Sequence, residues 1–277
     1  MRRAATVQWL AIIVLAAVIA VAVWFFVFQH PHPRGPATVA PNRSPTATTG
    51  TAPQHPISSA KVPASASTAP LPPLQDSDEG VLQALLALPG AQGLGDLLVK
   101  QAIIPNIVAT VDALSRQTFG STRILPLHTP GSAFEVEQNG NAPSNGGQTI
   151  SPRNYQRYDA YMRLLESIDS KALVAWYVHD YPLFQQAYRE LGYPKGYFND
   201  RLIAVIDNLL AAPEPAQPIA VQRQGAFYVY TDPALERLSA GQKMLIHAGP
   251  QNEAKIKARL RELRAMLVGQ QLPAGRS

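Results

Sequence analysis

The 277-residue chain contains no cysteine, which excludes disulfides and any lipid anchor attached through a thiol. Exported domains often lack thiols, so this absence does not identify the compartment. Acidic residues are absent before Asp76, and from there onward 19 acidic residues balance 19 basic ones. The net charge of +5 therefore belongs to the N-terminal part. A neutral domain lacks the basic face of a nucleic-acid-binding protein, and we expect no nucleic-acid partner.

Catalytic and metal-binding motifs are also missing. The sequence has no His-x-x-x-His pair and no Gly-x-Ser-x-Gly segment. The three histidines beyond the proline-rich part, His128, His179 and His247, are far apart along the chain. We therefore predict no metal and no cofactor, and the sequence assigns no catalytic residue.

An uncharged apolar segment extends from Trp9 to Phe28. About 20 helical residues cross the ~30 Å hydrocarbon core of a bilayer, and aromatic residues at both ends suit its interfaces. A secretory signal peptide is the alternative, but its apolar core is shorter. Cleavage at Ala20–Ala22 would also leave an exposed aromatic N-terminus. The sequence thus predicts a single transmembrane helix at 9–28 whose partner is the lipid bilayer.

The orientation of this helix follows from its flanking charges. Arg2 and Arg3 lie directly before the apolar segment, whereas Arg34 and Arg43 lie further away on the other side. Positive charge close to a span favours the cytoplasmic side, so residues 1–8 are predicted to be a short cytoplasmic N-terminus. The main domain would then face the periplasm or the exterior. A cytoplasmic domain is the alternative.

Composition divides the rest of the chain into three parts. Residues 29–73 contain eleven prolines among Ala, Thr and Ser, which predicts a disordered linker that acts as a spacer. Periodic apolar residues return at 74–268, and this length suits one globular domain with its own core. Residues 269–277 contain Gly, Pro and Gln and are predicted to form a flexible tail.

Apolar spacing in 74–268 predicts a fold that is mainly α with minor β (α+β). Helix starts are expected at Ser77, at Asp169, at Asn199 or Asp200, and at Ser239, where Gln242 completes a capping box. Pro105 is expected to separate two helices, Leu94–Ala102 and Asn106–Leu114. Pro182 is expected to kink or split the helix that begins at Asp169. Two hairpins are expected. One lies within 118–150, where strands are expected over Ile124–Leu127 and Ala133–Glu137, and the other turns at Gln224 and Gly225.

Clustered tyrosines indicate a candidate binding region. All ten tyrosines lie between Tyr155 and Tyr230, and a ring with a hydroxyl suits a wet groove or the edge of a core. A helix break at 192–196 can present such rings and a helix N-terminus to a ligand or peptide. The candidate residues are Tyr188, Tyr193, Tyr197, Asn199, Asp200 and Arg201. In the structural alternative, Asn199 and Asp200 cap the next helix, and Arg201 pairs with Asp180 or Glu190.

The same region carries a resemblance to a known family. Residues 181–194 read YPLFQQAYRELGYP, and residues 197–202 read YFNDRL. With Val108–Asp112 and Leu238–Lys243, this resembles the uncharacterised proteobacterial family catalogued as domain of unknown function 3014. The resemblance covers most of 71–268. It implies a proteobacterial protein anchored in the inner membrane, and it supplies no activity.

The expected function is therefore non-catalytic. We expect a membrane-anchored envelope protein whose domain binds or scaffolds an envelope protein or a cell-wall polymer through residues 193–201. The alternative is a hydrolytic enzyme that acts on envelope glycan or peptide. That enzyme would need a convergent acid–base set, for which His179, Glu190 and Asp200 are the candidates.

Overall fold

The computed structural model describes residues 52–60, 70–130, 133–138, 147–225 and 227–269. They form helices around one main apolar core, together with a small antiparallel sheet. The predicted α+β class and the single globular domain are therefore confirmed. The predicted transmembrane segment Trp9–Phe28 lies outside the described residues, as do 1–8 and 270–277. Within the described ranges, no helix combines the length and the apolar character needed to cross a bilayer.

The α-helices of the described residues are numbered in chain order: α1 (Asp78–Leu86), α2 (Leu94–Leu97), α3 (Ile103–Leu114), α4 (Asp159–Ser167), α5 (Ser170–Glu190), α6 (Phe198–Leu210), α7 (Pro233–Glu236), α8 (Ala240–Ala248) and α9 (Pro250–Leu267). Short 3-10 helices occupy Ile57–Ser59, Leu74–Asp76, Thr122–Ile124 and Pro152–Tyr158. The strands are β1 (Val136–Gln138), β2 (Gln148–Ile150), β3 (Ala220–Gln224) and β4 (Phe227–Tyr230).

The sheet joins the two predicted hairpin regions. Its order is β1-β2-β3-β4, and each neighbouring pair is antiparallel. The turn between β3 and β4 contains Gly225 at φ +67°, a conformation that favours glycine, so the hairpin expected there is confirmed. A strand over 124–127 was also expected and is wrong. That segment contains the end of a 3-10 helix and a single bridge between Leu127 and Leu98.

Helix α5 lies in the main core between α3, α6 and α9. The rings of Tyr177 and Phe184 on α5 are fully buried, and their centroids are 5.1 Å apart. Phe198, the first residue of α6, stacks on Phe184 at a centroid distance of 5.6 Å. Burying rings of this size contributes on the order of 2 kcal/mol per side chain. The start of α6 is thus fixed against the middle of α5.

Several predicted helix boundaries are confirmed and others are wrong. Asp169 caps α5 by accepting from two backbone N–H groups, and Ser239 forms the expected capping box with Gln242 at the start of α8. The expectation that Pro182 splits its helix is wrong, because α5 is continuous around this exposed proline and is held by buried rings on both sides of it. Pro105 does not separate two helices either. It lies in the first turn of α3, where a missing N–H is tolerated.

Residues 52–60, which belong to the predicted linker, lie against the domain. Ile57 and Ala60 pack on the edge of the main core. A Cβ on Gly269, after the end of α9, would lie 2.5 Å from the Ser59 carbonyl oxygen, so the segment approaches this end of α9 closely. At its other end, the backbone of His55 contacts the first turn of α6. The segment therefore extends from the start of α6 to the end of α9.

Candidate functional site

The turn between α5 and α6 is held by Gln185, a buried residue of α5. Its Nε2 donates to the carbonyl oxygen of Gly196 at 2.8 Å, and its Oε1 accepts from the backbone N–H of Phe198 at 3.0 Å. The same oxygen accepts from the hydroxyl of Tyr181 at 2.9 Å. The first N–H groups of a helix lack partners within the helix, and Gln185 satisfies one of them from outside. The turn is thus held by α5 as well as by its own residues.

The turn encloses the ring of Tyr188, a residue of α5. Its ring is 3% exposed and stacks on the ring of Tyr193 at a centroid distance of 4.6 Å. Burial raises the pKa of Tyr188 to about 12. A Cβ added to Gly196 would lie 2.8 Å from the Cε1 atom of Tyr188, so only glycine fits there without a shift. The structure therefore places Tyr188 in the interior, with Tyr193 covering it.

Arg201 forms part of a charged cluster with Asp112 of α3. The Arg201 Nε donates to Asp112 Oδ1 at 2.9 Å, and its Nη2 donates to the carbonyl oxygen of Asp112 and the hydroxyl of Ser115, each at 2.7 Å. The Tyr193 hydroxyl donates to Asp112 Oδ2 at 3.1 Å, and Arg116 pairs with the same oxygen. The expected pairing of Arg201 with Asp180 or Glu190 is therefore wrong. The carboxylate that faces α6 comes from α3.

Asn199 and Asp200 do not cap α6, which corrects the structural alternative. The residue before α6 is Tyr197, and no side chain of α6 forms an N-terminal cap there. Asn199 is fully buried, and its Oδ1 accepts from the Tyr177 hydroxyl at 3.2 Å. Its Nδ2 donates to the carbonyl oxygen of His55 at 2.8 Å.

Asp200 contacts the same distant segment. Its Oδ1 accepts from the backbone N–H of His55 at 2.6 Å, and its Oδ2 accepts from the backbone N–H of Gln54 at 2.9 Å. With the bond from Asn199, two side chains make three hydrogen bonds to the main chain of residues about 145 positions away. We call Asn199 and Asp200 the clamp. It binds main-chain atoms, so it places no demand on the side chains of the bound residues.

Two tyrosines of α5 lie beside the clamp. Burial raises the pKa of Tyr177 well above its ordinary value, and the negative charge of Asp200 acts in the same direction. Burial also raises the pKa of Tyr181, whereas a hydrogen bond with the backbone of Asn199 lowers it. Both hydroxyls therefore keep their protons at neutral pH and remain hydrogen-bond donors. Tyr197 lies half-buried at the entrance to α6.

The residues proposed for the hydrolytic alternative do not converge. Asp200 is engaged with residues 54–55, and Glu190 accepts from Gln186 at 2.9 Å on its own helix. In the described part of the chain, no hydrogen bond joins His179 to either carboxylate. Nor does this part contain a group of three or more His, Cys, Asp or Glu residues that could hold a metal ion.

A cavity of about 220 Å³ lies beside Glu190 and also contains Asp78. The two Asp78 oxygens accept from the backbone N–H groups of Ala102 and Ile103 at 2.6 and 2.8 Å. Asp78 therefore caps the start of α3 from a neighbouring helix. Its carboxylate has a structural role, and the cavity gains no acid–base pair from it.

Sequence reasoning missed several residues that build the site, namely Gln54, His55, Asp112, Tyr177 and Gln185. Gln54 and His55 fall in the predicted linker because their neighbours are prolines and small residues. One local signal is present, since Pro53 and Pro56 enclose these two residues and each proline restricts its own backbone and that of the residue before it. Asp112 gave no local signal, because it occurs within an ordinary apolar helix pattern.

A family model described as Protein of unknown function (DUF3014) matches residues 103–264. The match covers more than half of the chain and includes both clamp residues and Asp112. The chain belongs to this family, as the resemblance of its central segment implied. No curated protein and no solved structure matches the chain.

Proposed function

We propose that this DUF3014 family member is a non-catalytic binding protein of the bacterial envelope. In this proposal Trp9–Phe28 anchors it in the inner membrane, and its periplasmic domain holds a segment of another envelope protein. The observation that supports it is the clamp, in which Asn199 and Asp200 bind two backbone N–H groups and one backbone carbonyl. This pattern of donors and acceptors belongs to a peptide chain, so we favour a protein partner over a polysaccharide.

The strength of the clamp suits a binding site that exchanges its occupant. Hydrogen bonds to a charged group contribute about 1.5–3 kcal/mol each, and a neutral one contributes about 1 kcal/mol. Asp200 accepts both of its bonds as a carboxylate in the first turn of α6, where the helix dipole favours a negative charge. Three such bonds alone give weak binding by comparison with the ~8 kcal/mol of a micromolar complex. A partner would gain the remainder from neighbouring surface.

The experiment that tests this proposal is photocrosslinking in cells with the full-length chain. A photoreactive amino acid replaces Tyr197, which is half-buried next to the clamp. We expect one or a few envelope proteins to be crosslinked and the crosslinks to disappear in Asp200→Ala. The control is Asp207→Ala, which removes an exposed carboxylate of the same helix that pairs with Arg264. Crosslinks that persist in Asp200→Ala, or the absence of any crosslinked protein, would contradict the proposal.

The proposed side of the membrane has a separate test. The chain has no cysteine, so Lys100→Cys, at an exposed position, introduces a single thiol. We expect a membrane-impermeant thiol reagent to label it in intact spheroplasts. Labelling that occurs only after lysis would place the domain in the cytoplasm. Recovery of the full-length chain in the soluble fraction would contradict the anchor at Trp9–Phe28.

A further inference from the structure

The clamp is occupied in this structure by a proline-flanked segment of the same chain. Its residues 53–56 read Pro-Gln-His-Pro. Pro56 has φ −60° and ψ 135°, which are the angles of a polyproline II helix. The chain bends at Gln54 and His55, between the two prolines. Proline has a fixed φ, which lowers the conformational entropy that the segment loses on docking.

The hydrogen bonds of the clamp match this arrangement of prolines. Proline has no N–H, so Gln54 and His55 carry the only backbone donors within residues 53–56. Asp200 accepts from both donors, and Asn199 donates to the carbonyl between His55 and Pro56. The side chain of Gln54 is exposed. The clamp thus binds two consecutive N–H groups and one carbonyl, which the two residues between the prolines supply.

The bound segment lies on the surface of the domain. Among residues 52–60, none is buried, and four are exposed. Release of the segment would therefore expose little fully buried apolar surface to water. These features indicate a site whose occupant can exchange.

Building on the proposed function, we infer that the ligand of the clamp is a Pro-x-x-Pro segment of a partner envelope protein, bound through its main chain as residues 53–56 are. The chain's own residues 53–56 occupy the clamp in competition with this partner. A tethered segment has an effective concentration in the millimolar range, so a weak intrinsic affinity is sufficient for it to remain bound. A partner displaces it when the ratio of the partner's concentration to its dissociation constant exceeds the ratio of the effective concentration to the dissociation constant of the tethered segment.

The test uses a fluorescent nonapeptide with the sequence of residues 52–60 and the full-length chain in detergent. In Gln54→Pro/His55→Pro, proline replaces the two residues whose N–H groups are bound, which removes both donors. This variant should leave the clamp free. We expect it to bind the peptide at least tenfold more tightly than the wild-type chain. Adding Asp200→Ala should abolish this binding.

The peptide itself provides the matched control. A nonapeptide with prolines in place of Gln54 and His55 should not bind, because it offers no backbone donors to Asp200. Equal binding of both peptides, or no gain in the Gln54→Pro/His55→Pro chain, would overturn the inference. Sedimentation of the wild-type chain tests whether the occupant is a second copy of this chain. A wild-type dimer that dissociates in Gln54→Pro/His55→Pro would identify a second copy as the ligand. That result would overturn the assignment to a partner protein.

The two proposals can fail separately. Suppose that crosslinking at position 197 depends on Asp200 but the nonapeptide does not bind. This result would support the proposed binding function and exclude Pro-x-x-Pro segments as the ligand class. Peptide binding without any crosslinked protein in cells would retain the site and its ligand class and exclude an envelope partner.

Discussion

Arg201 of α6 contacts Asp112 of α3 across a helix interface, with Nε 2.9 Å from Oδ1. Asp112 is 1% exposed, and Arg201 also binds its carbonyl oxygen, so the guanidinium contacts both the side chain and the backbone of one residue. The pair joins the start of α6 to the end of α3. Asn199 and Asp200 belong to α6 and directly precede Arg201, so the pair also fixes the position of the clamp.

Arg201→Ala is expected to lower the free energy of unfolding by about 3 kcal/mol. Removing one partner of a buried ion pair leaves the other charge without compensation, and such changes cost roughly 3–5 kcal/mol. The remaining partners of Asp112, Tyr193 and Arg116, place the loss at the lower end. Urea unfolding followed by circular dichroism measures the change.

Arg116→Ala is the matched control for this variant. Arg116 pairs with the same carboxylate, but its side chain is 50% exposed, compared with 14% for Arg201. Exposed pairs contribute up to about 1 kcal/mol, so its loss should be small. Equal losses in the two variants would show that burial of the Arg201 contact is not what stabilises the fold.

Gly196→Ala is expected to destabilise the domain by about 1–3 kcal/mol, because the new methyl group would overlap the buried ring of Tyr188. The comparison is Gly80→Ala, at an exposed position of α1 where an added Cβ meets no atom within 4 Å. That change should stabilise the protein by about 0.5–1 kcal/mol, because alanine is the better helix former. Thermal unfolding of both variants tests the opposite signs, and stabilisation by Gly196→Ala would show that the turn is not closely packed on Tyr188.

Asp180 should make the stability of the domain depend on pH. Burial raises the pKa of its carboxyl to about 6, while the charge of His179 acts in the opposite direction, and Oδ2 has no hydrogen-bond partner among the described residues. A folded-state pKa above the unfolded value of about 3.9 means that the protonated carboxyl favours folding. This contribution is complete below about pH 4 and is lost as the pH rises through about 6.

Asp180→Asn removes this titration. The variant should therefore gain stability relative to the wild type as the pH rises from 4 to 7, by roughly 2 kcal/mol. Asp169, whose pKa burial also raises to about 6, is present in both proteins and cancels from the difference. The exposed Asp96→Asn controls for the change in net charge and should show little such gain. A stability difference between Asp180→Asn and the wild type that does not change with pH would contradict the prediction.

Local chemistry explains which parts of the fold could be predicted from the sequence. Asp169, the pair Ser239 and Gln242, and the turn at Gly225 each determine a boundary through contacts within a few residues, so their signals are readable in sequence. The helix expected over Leu94–Ala102 instead ends at Leu97, because Leu98 forms a bridge with Leu127. That competing contact lies 29 positions away and leaves no trace in the local pattern.

The same distinction applies to the site. The sequence placed Tyr193, Asn199 and Arg201 in one region, because spacing and a helix break are local properties. It did not give their partners, because Asp112 lies 89 positions from Arg201 and His55 lies 144 positions from Asn199. A hydrogen bond across such a separation is determined by the packing of α3, α5 and α6. Composition also gives no sign that residues 52–60 contact the domain, because their hydrogen bonds to the clamp involve main-chain atoms, which every sequence possesses.

The attachment of Gln54 and His55 to the clamp also limits how far the domain could extend from the membrane anchor proposed above. With Trp9–Phe28 in the membrane as proposed, residues 29–53 of the predicted linker would connect the membrane to the clamp, and a chain of this length has a stiff limit of about 80 Å at ~3.1 Å per residue. Release of the segment extends the tether to 29–73, and the limit rises to about 140 Å. A ligand that displaces residues 53–56, together with the core contacts of Ile57 and Ala60, would thereby nearly double the distance from the membrane that the domain can reach.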